Sequence, residues 1–111
     1  MRGALFENWA IGELLKGRLN RGKNSNLHFW RDHLGLEVDV LAESGARLLP
    51  VEIKAGATLA DDWFKGLDRW TELAGRHAGR GCLIYGGDDA WTRHGVEVVP
   101  WRAIADVATR L

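Results

Sequence analysis

The chain of 111 residues has a single cysteine, Cys82, and no long hydrophobic run. One cysteine excludes an internal disulfide framework and a cysteine-based zinc site, and we expect Cys82 to be a small buried apolar residue. No apolar stretch approaches the roughly 20 residues that a membrane-spanning helix needs. Because Glu7 and Glu13 interrupt the apolar N-terminal stretch, we expect no secretory signal, no membrane partner and a cytoplasmic location.

An excess of charge of one sign is also missing, since fifteen Lys and Arg residues balance fifteen Asp and Glu residues. A zero net charge does not indicate a strongly basic nucleic-acid-binding protein. The charges are unevenly distributed, however. Residues 16–33 carry five basic side chains and one acidic one, whereas residues 34–72 carry four basic and eight acidic ones. The first segment could face phosphate and the second could hold cations, but solvated loops and helix faces explain such segments about as well.

The hydrophobic pattern predicts one domain with the element order α, β, β, β, α, β, β, α. This order predicts an α/β fold with a mixed sheet flanked by helices. Thr58 and Asp61 resemble a capping box at the start of the second long helix, and Trp9, Trp63 and Trp70 are spaced as core residues of their helices. The predicted helices cover residues 3–20, 59–75 and the segment from Pro100, with Trp101, Ile104, Ala105 and Ala108 on one face; the predicted strands cover residues 26–31, 36–43, 47–54, 81–86 and 95–99.

The second and third strands form a predicted hairpin that carries most of the candidate chemistry. Glu37 and Asp39 are two residues apart, as are Glu52 and Lys54, so each pair projects from one face of its strand. Strict alternation assigns the apolar residues between these charges to the opposite face, namely Leu36, Val38 and Val40 on the second strand and Leu49, Val51 and Ile53 on the third. A loop of two or four residues places Asp39 opposite residue 50 or 52, with directly opposed Cβ atoms about 4.5–5.5 Å apart.

This charged patch has two interpretations. It is either the solvent face of an amphipathic hairpin, where ion pairs contribute little, or a cation site, because clustered carboxylates repel one another and hard divalent cations prefer oxygen ligands. Lys54 lies two residues from a carboxylate, where its charge could orient a water or meet a phosphate oxygen. Glu7 lies on the inward stripe of the first helix with Leu14, and an inward Glu needs a basic partner or a metal.

Four ordered segments resemble a known group of proteins. They are GALFEN at 3–8, WRDHLGLEVD at 30–39, PVEIKAG at 50–56 and GVEVVPW at 95–101. Together they resemble the PD-(D/E)XK nuclease superfamily and, more closely, the domain of unknown function found C-terminal to AAA-type ATPases of bacteria and archaea. Val38 stands where the superfamily has the proline of its name. The chain has no GxxxxGK[ST] motif, so it is either a standalone relative of this domain or, as we expect from the resemblance, the C-terminal fragment of a longer ATPase.

The resemblance implies a restriction-endonuclease-like αβββαβ core and a role for each matching residue. Asp39, Glu52 and the backbone carbonyl of Ile53 would be ligands of Mg²⁺ or Mn²⁺, and Glu7 would reach the metal through water or bind a second ion. Lys54 would position the attacking water or help to deprotonate it. Accessory roles are open for Glu37 and for Arg31, which could help to hold DNA or pair with Glu37.

Three functions follow from these patterns, in this order. The first is a divalent-metal-dependent DNA endonuclease domain that hydrolyses phosphodiesters with a metal-activated water. The second is a catalytically inactive nuclease-fold module that serves an AAA-type ATPase as an interaction or regulatory domain. The third is a structural domain whose charges form ion pairs. The expected partners are DNA and the ATPase domain of the same longer chain.

Overall fold

The computed structural model describes residues 2–23 and 27–111 and has an α/β architecture. Six strands form one mixed sheet in the order β1-β2-β3-β4-β6-β5. Helices α1, α2 and α3 span Arg2–Asn20, Lys65–Ala74 and Ile104–Ala108. Strands β1 to β6 span Leu27–Arg31, Glu37–Ser44, Arg47–Lys54, Cys82–Tyr85, Trp91–Arg93 and Val96–Pro100. The predicted fold class is therefore confirmed, with one strand more than the sequence predicts.

Strands β1, β2 and β3 pair in antiparallel fashion, whereas β3 with β4 and β4 with β6 pair in parallel. Helices α1 and α3 cover one face of the sheet and α2 covers the other, and each face buries its own apolar cluster. Leu14 of α1 and Leu67 of α2 are almost fully buried in these two clusters. Among the described residues no helix is long and apolar enough to cross a membrane.

The β2–β3 hairpin turns through Gly45 and Ala46, and Ser44 pairs with Arg47. Gly45 has a φ of 61°, and a glycine with positive φ at the first turn position is typical of a tight type II′ hairpin. This turn sets the register of the whole hairpin. The last pair of the ladder is Val40 with Val51, which carries Asp39 to the level of Glu52, one of the two expected registers.

A β-bulge in β2 overturns the predicted strict alternation. The register against β1 shifts between His28 and Trp30, so that β2 has one extra residue there. Val38 therefore packs in the cluster under α2, whereas Val40 packs in the cluster under α1. The prediction that these two valines share a face is wrong, because a bulge reverses the alternation and redirects the side chains beside it.

Other predicted details also differ from the structure. The second long helix begins as a 3₁₀ turn, Asp61–Phe64, and Ala60 caps it without a side-chain bond. The predicted capping box is wrong, since the Asp61 carboxylate pairs with Arg93 instead. Strand β5, which has only three residues, was not predicted because it is too short to show alternation.

The aromatic core is smaller than the sequence predicts. Trp70 is buried, but Trp9 is 40% exposed, contrary to its prediction as core. Trp9 turns away from the core because successive helix residues are about 100° apart around the axis, and the buried stripe of α1 runs through its neighbour Ala10.

The last helix begins later than the sequence predicts. Pro100 belongs to β6, and a 3₁₀ turn precedes α3. Trp101 is 39% exposed, although it was predicted to pack with the helix. Ala105 is exposed as well.

Candidate active site

Asp39 and Glu52 meet where the ladder between β2 and β3 ends. The main-chain N–H of Asp39 donates to Oε1 of Glu52 over 3.3 Å. In return the main-chain N–H of Ile53 donates to Oδ2 of Asp39 over 2.8 Å. Beyond Val40 the two strands are thus joined by side-chain carboxylates, which holds both groups in one place.

Glu52 is buried, with 4% of its surface exposed. Burial, followed by the hydrogen bond and negative charge of Asp39, raises the pKa of the Glu52 carboxyl to about 9. A carboxylate that leaves water loses hydration that stabilises its charge, and a second carboxylate beside it adds repulsion. In the metal-free protein the surroundings of Glu52 therefore favour its protonated form.

Helix α1 brings a third carboxyl, that of Glu7, to the same point. Glu7 is half-buried, and its side chain hydrogen-bonds Asp39. Burial, then Asp39 and then Glu37 raise the pKa of Glu7. The helix is held in place by Ala10 and Leu14, both fully buried one and two turns further along. The placement of Glu7 on the inward side of the first helix is therefore confirmed.

Lys54 is the last residue of β3 and is half-buried. Its positive charge opposes the rise in the pKa of both Glu7 and Glu52. An effect on both groups places the ammonium within electrostatic reach of the whole cluster. We call Glu7, Asp39, Glu52 and Lys54 the acidic cluster; the structure brings together all four residues that the sequence singled out as catalytic.

Glu37 and Arg31 form the rim of this site. Nη2 and Nε of Arg31 donate to Oε2 of Glu37 over 3.0 and 3.3 Å. Of the two roles that the sequence left open for Arg31, the structure contains the pairing with Glu37. The pair is largely exposed and contributes to the acidic cluster mainly through the charge of Glu37 on Glu7.

Three basic side chains of the segment 16–33 make hydrogen bonds within the protein. Nη1 of Arg18 donates to the carbonyl of Glu43 over 3.2 Å. Nη1 of Arg21 and Nζ of Lys23 donate to the carbonyl of Leu111 over 3.3 and 2.9 Å. These three cations bind main-chain oxygens of the domain.

The donor set fits a hard divalent cation. It offers the carboxylates of Asp39 and Glu52 and, on the same stretch of β3, the carbonyl of Ile53. Within residues 2–23 and 27–111 no group of three or more His, Cys, Asp or Glu side chains is arranged to hold a metal by itself. Mg²⁺ usually takes one or two protein carboxylates and keeps several waters, so Asp39 and Glu52 suit this ion better than one that needs a full protein cage.

Two glycines that the sequence analysis did not single out position the strands of the site. A Cβ on Gly66 of α2 would lie 2.0 Å from the carbonyl oxygen of Glu37, and a Cβ on Gly86 would lie 2.1 Å from that of Ala55. Only glycine allows such close approach of backbone to backbone. Because these contacts join distant segments, no local sequence signal reveals them.

Comparison with known proteins places the chain in a family. A search of curated proteins finds no match. A family model matches residues 2–104, which include the whole acidic cluster and every strand. The chain therefore belongs to the family described as Domain of unknown function (DUF4143).

Proposed function

We propose that this domain is a divalent-metal-dependent DNA endonuclease of the PD-(D/E)XK type. The observation that carries the proposal is the pair of reciprocal hydrogen bonds between Asp39 and the β3 strand, at 3.3 and 2.8 Å, which holds two carboxyls together in a buried place. The order α1, β1, β2, β3, α2, β4 supports it, since this is the αβββαβ order that the sequence resemblance implies.

Each residue of the acidic cluster has a part in the proposed reaction. Asp39, Glu52 and the carbonyl of Ile53 would hold the cation, and Glu7 would hold a water beside it. When bound, the cation supplies positive charge for a phosphate oxygen and lowers the pKa of a water. Lys54 orients the attacking water and adds positive charge beside the phosphate, where negative charge develops in the transition state.

A purely structural role explains the cluster less well. Burying the Glu52 carboxyl against Asp39 costs stability, as the raised pKa of Glu52 indicates. A structural domain would gain stability by replacing one of the carboxyls with an apolar or amide group. Ionisable groups whose pKa is shifted by burial and a specific neighbour occur preferentially at functional sites.

The second candidate is an inactive nuclease-fold module that serves an AAA-type ATPase as an interaction or regulatory domain. The zero net charge of the chain favours it, because phosphate binding dominates the affinity of most DNA-binding proteins. The two candidates differ in whether the acidic cluster binds a divalent cation at micromolar to millimolar concentration and cleaves DNA.

Calorimetric titration with Mn²⁺ and Mg²⁺, paired with a plasmid-cleavage assay, tests the proposal. We expect Asp39→Ala to lose cation binding and cleavage together, because it removes an oxygen ligand. We expect Lys54→Ala to keep or tighten cation binding while cleavage falls, since a positive charge leaves the site. Glu43→Gln, on the exposed part of β2, is the matched control and should change neither.

Cation binding by the wild type with the same affinity in Asp39→Ala would place the ion elsewhere and refute the assignment of ligands. Cleavage that persists unchanged in Asp39→Ala would come from a contaminating nuclease. Neither binding nor cleavage by the wild type, on plasmid or branched DNA, would favour the inactive module.

A further inference from the structure

Lys54 lies where the sheet stops holding the chain. Glu52, Ile53 and Lys54 pair with three successive residues of the parallel strand β4, and the pair of Lys54 with Tyr85 is the last one. On the other side of β3 the ladder with β2 has already ended at Val51. Glu52 and Ile53 are therefore held within a ladder, whereas the position of Lys54 depends on the residues that follow it.

The two residues after Lys54 are fixed by close packing rather than by a ladder. The main-chain N–H of Gly86 donates to the carbonyl of Gly56 over 3.0 Å, and a Cβ on Gly86 would collide with the carbonyl oxygen of Ala55. Cη2 and Cζ2 of Trp63 lie 2.9 and 3.0 Å from the position that a Cβ on Gly56 would occupy. The far edge of the Trp63 indole therefore rests directly on the Gly56 backbone.

Trp63 is itself held independently of the acidic cluster. It belongs to the 3₁₀ turn Asp61–Phe64, and its main-chain N–H donates to the carbonyl of Ala60 over 3.1 Å. Phe64 is buried, and the guanidinium carbon of Arg93 on β5 lies 4.7 Å from the centroid of its ring. Arg93 also pairs with Asp61. The turn is thus attached both to the core and to β5, so that it can act as a fixed support for the chain after β3.

Core packing alone does not account for the contact between Trp63 and Gly56. Part of the Trp63 ring packs against the cluster under α2, but Gly56 is exposed and has no side chain to bury. Glycine is also the residue with the greatest backbone freedom. A ring packed on Gly56 therefore acts mainly by restricting the backbone just beyond Lys54.

We infer that Trp63 is a positioning residue for Lys54. Its ring holds Gly56, and with it the end of β3, so that the Lys54 ammonium stays within reach of the acidic cluster. The effect on catalysis rests on the proposed nuclease function, whereas the restraint on the chain does not. Because Asp39 and Glu52 are held by their reciprocal hydrogen bonds, the rate of cleavage should depend on Trp63 and the binding of the cation should not.

Cleavage kinetics of Trp63→Ala, measured with the whole 111-residue chain, test this inference. We expect kcat to fall about 10- to 100-fold, since a misplacement of roughly 1 Å can cost that much. The KM for plasmid DNA and the Mn²⁺ affinity from calorimetry should stay unchanged. In the Lys54→Ala background Trp63→Ala should cause no further loss, because the two residues act through one group. Trp91→Ala, an exposed tryptophan on β5, is the matched control and should keep the wild-type kcat.

A compensating pair of substitutions tests the contact itself. Gly56 does not have a positive φ, so alanine fits its backbone, but the methyl group presses against the Trp63 ring and should lower kcat. Trp63→Phe shortens the ring, loses the contact and should lower kcat as well. In the double variant Gly56→Ala/Trp63→Phe the methyl group occupies the space that the shorter ring leaves, and most of kcat should return.

Amide hydrogen exchange measures the restraint without any catalytic activity. In Trp63→Ala the amide of Gly86, which donates to Gly56, should exchange about tenfold faster, the change that loss of one hydrogen bond gives. The amides of β4 before it should keep their protection. Circular dichroism melting shows whether each variant is folded, and the Gly56 and Phe variants keep the test valid if Trp63→Ala is not.

Unchanged kcat in folded Trp63→Ala would overturn the inference. So would an equal loss of kcat in the Lys54→Ala background, which would show that Trp63 acts independently of Lys54. A parallel loss of Mn²⁺ affinity would assign Trp63 to the general stability of the site and overturn it as well. If the wild type cleaves no DNA, the nuclease function fails and hydrogen exchange decides alone: faster exchange at Gly86 supports the restraint by Trp63, and unchanged exchange refutes it.

Discussion

Replacing Glu52 by Gln should stabilise the metal-free protein at alkaline pH. The Glu52 carboxyl has a pKa of about 9 in the folded protein and an ordinary value near 4.5 in the unfolded chain. Between these values the folded protein keeps a proton that the unfolded chain has lost. The contribution of Glu52 to stability is therefore fully present below pH 4.5 and is lost progressively as the pH rises toward 9. Glutamine does not ionise, so the stability of the variant should not show this decrease between pH 4.5 and 9.

The expected magnitude follows from the pKa difference. Each pH unit within the window changes the free energy of unfolding by about 1.4 kcal/mol. From pH 4.5 to pH 8 this gives an upper limit of about 5 kcal/mol. Local relaxation and water entry reduce such penalties in real proteins, so we expect Glu52→Gln to be more stable than the wild type by about 1–3 kcal/mol at pH 8. This is a large part of the 5–15 kcal/mol that holds a typical domain folded.

Urea unfolding in EDTA at pH 5 and pH 8 measures this effect. The wild type should lose stability between the two pH values, and Glu52→Gln should lose clearly less. Glu72→Gln is the control, because Glu72 is exposed on α2 and should follow the wild type. If the nuclease proposal holds, Mg²⁺ should restore the stability of the wild type at pH 8, since a cation that binds only the folded form stabilises it by mass action, and should do little for Glu52→Gln. The same pH dependence in the wild type and in Glu52→Gln would show that Glu52 ionises normally and would refute the reasoning.

The remaining predictions concern packing and the buried thiol. Gly66→Ala should lower the free energy of unfolding by about 1–3 kcal/mol or more, because its Cβ would collide with the Glu37 carbonyl, whereas Gly12→Ala in open space on α1 should raise it by up to about 1 kcal/mol in chemical denaturation. Leu14→Ala should cost about 2–5 kcal/mol in the same assay, since Leu14 is fully buried; a loss below about 1 kcal/mol would contradict its place in the core. Cys82 is buried and burial raises the pKa of its thiol to about 12, so a thiol reagent at pH 8 should label it only after unfolding, and rapid labelling of the native protein would contradict this.

Much of the site could be predicted because it depends on local patterns. Alternating apolar residues indicate β2 and β3, and the short turn at Gly45 restricts the residue opposite Asp39 to 50 or 52, of which the structure has Glu52. The stripe through Ala10 and Leu14 orients α1, and this orientation carries Glu7 to the hairpin.

The sequence alone did not predict how the carboxyls are held together. The bulge that separates Val38 from Val40 arises from pairing with β1, and the hydrogen bond from Ile53 to Asp39 exists only because the strands separate beyond it. The elevated pKa of Glu52 likewise requires the burial that packing produces.

The sequence by itself determined where the central hairpin turns and which carboxyls it carries, because these properties depend on neighbours within a few positions. Tertiary structure decided that Gly66 contacts Glu37 and that Trp9 meets Trp101 in a groove rather than in the core. Each of these contacts joins elements far apart in the chain, and their geometry depends on how helices and sheet pack to native density, which a local pattern does not contain.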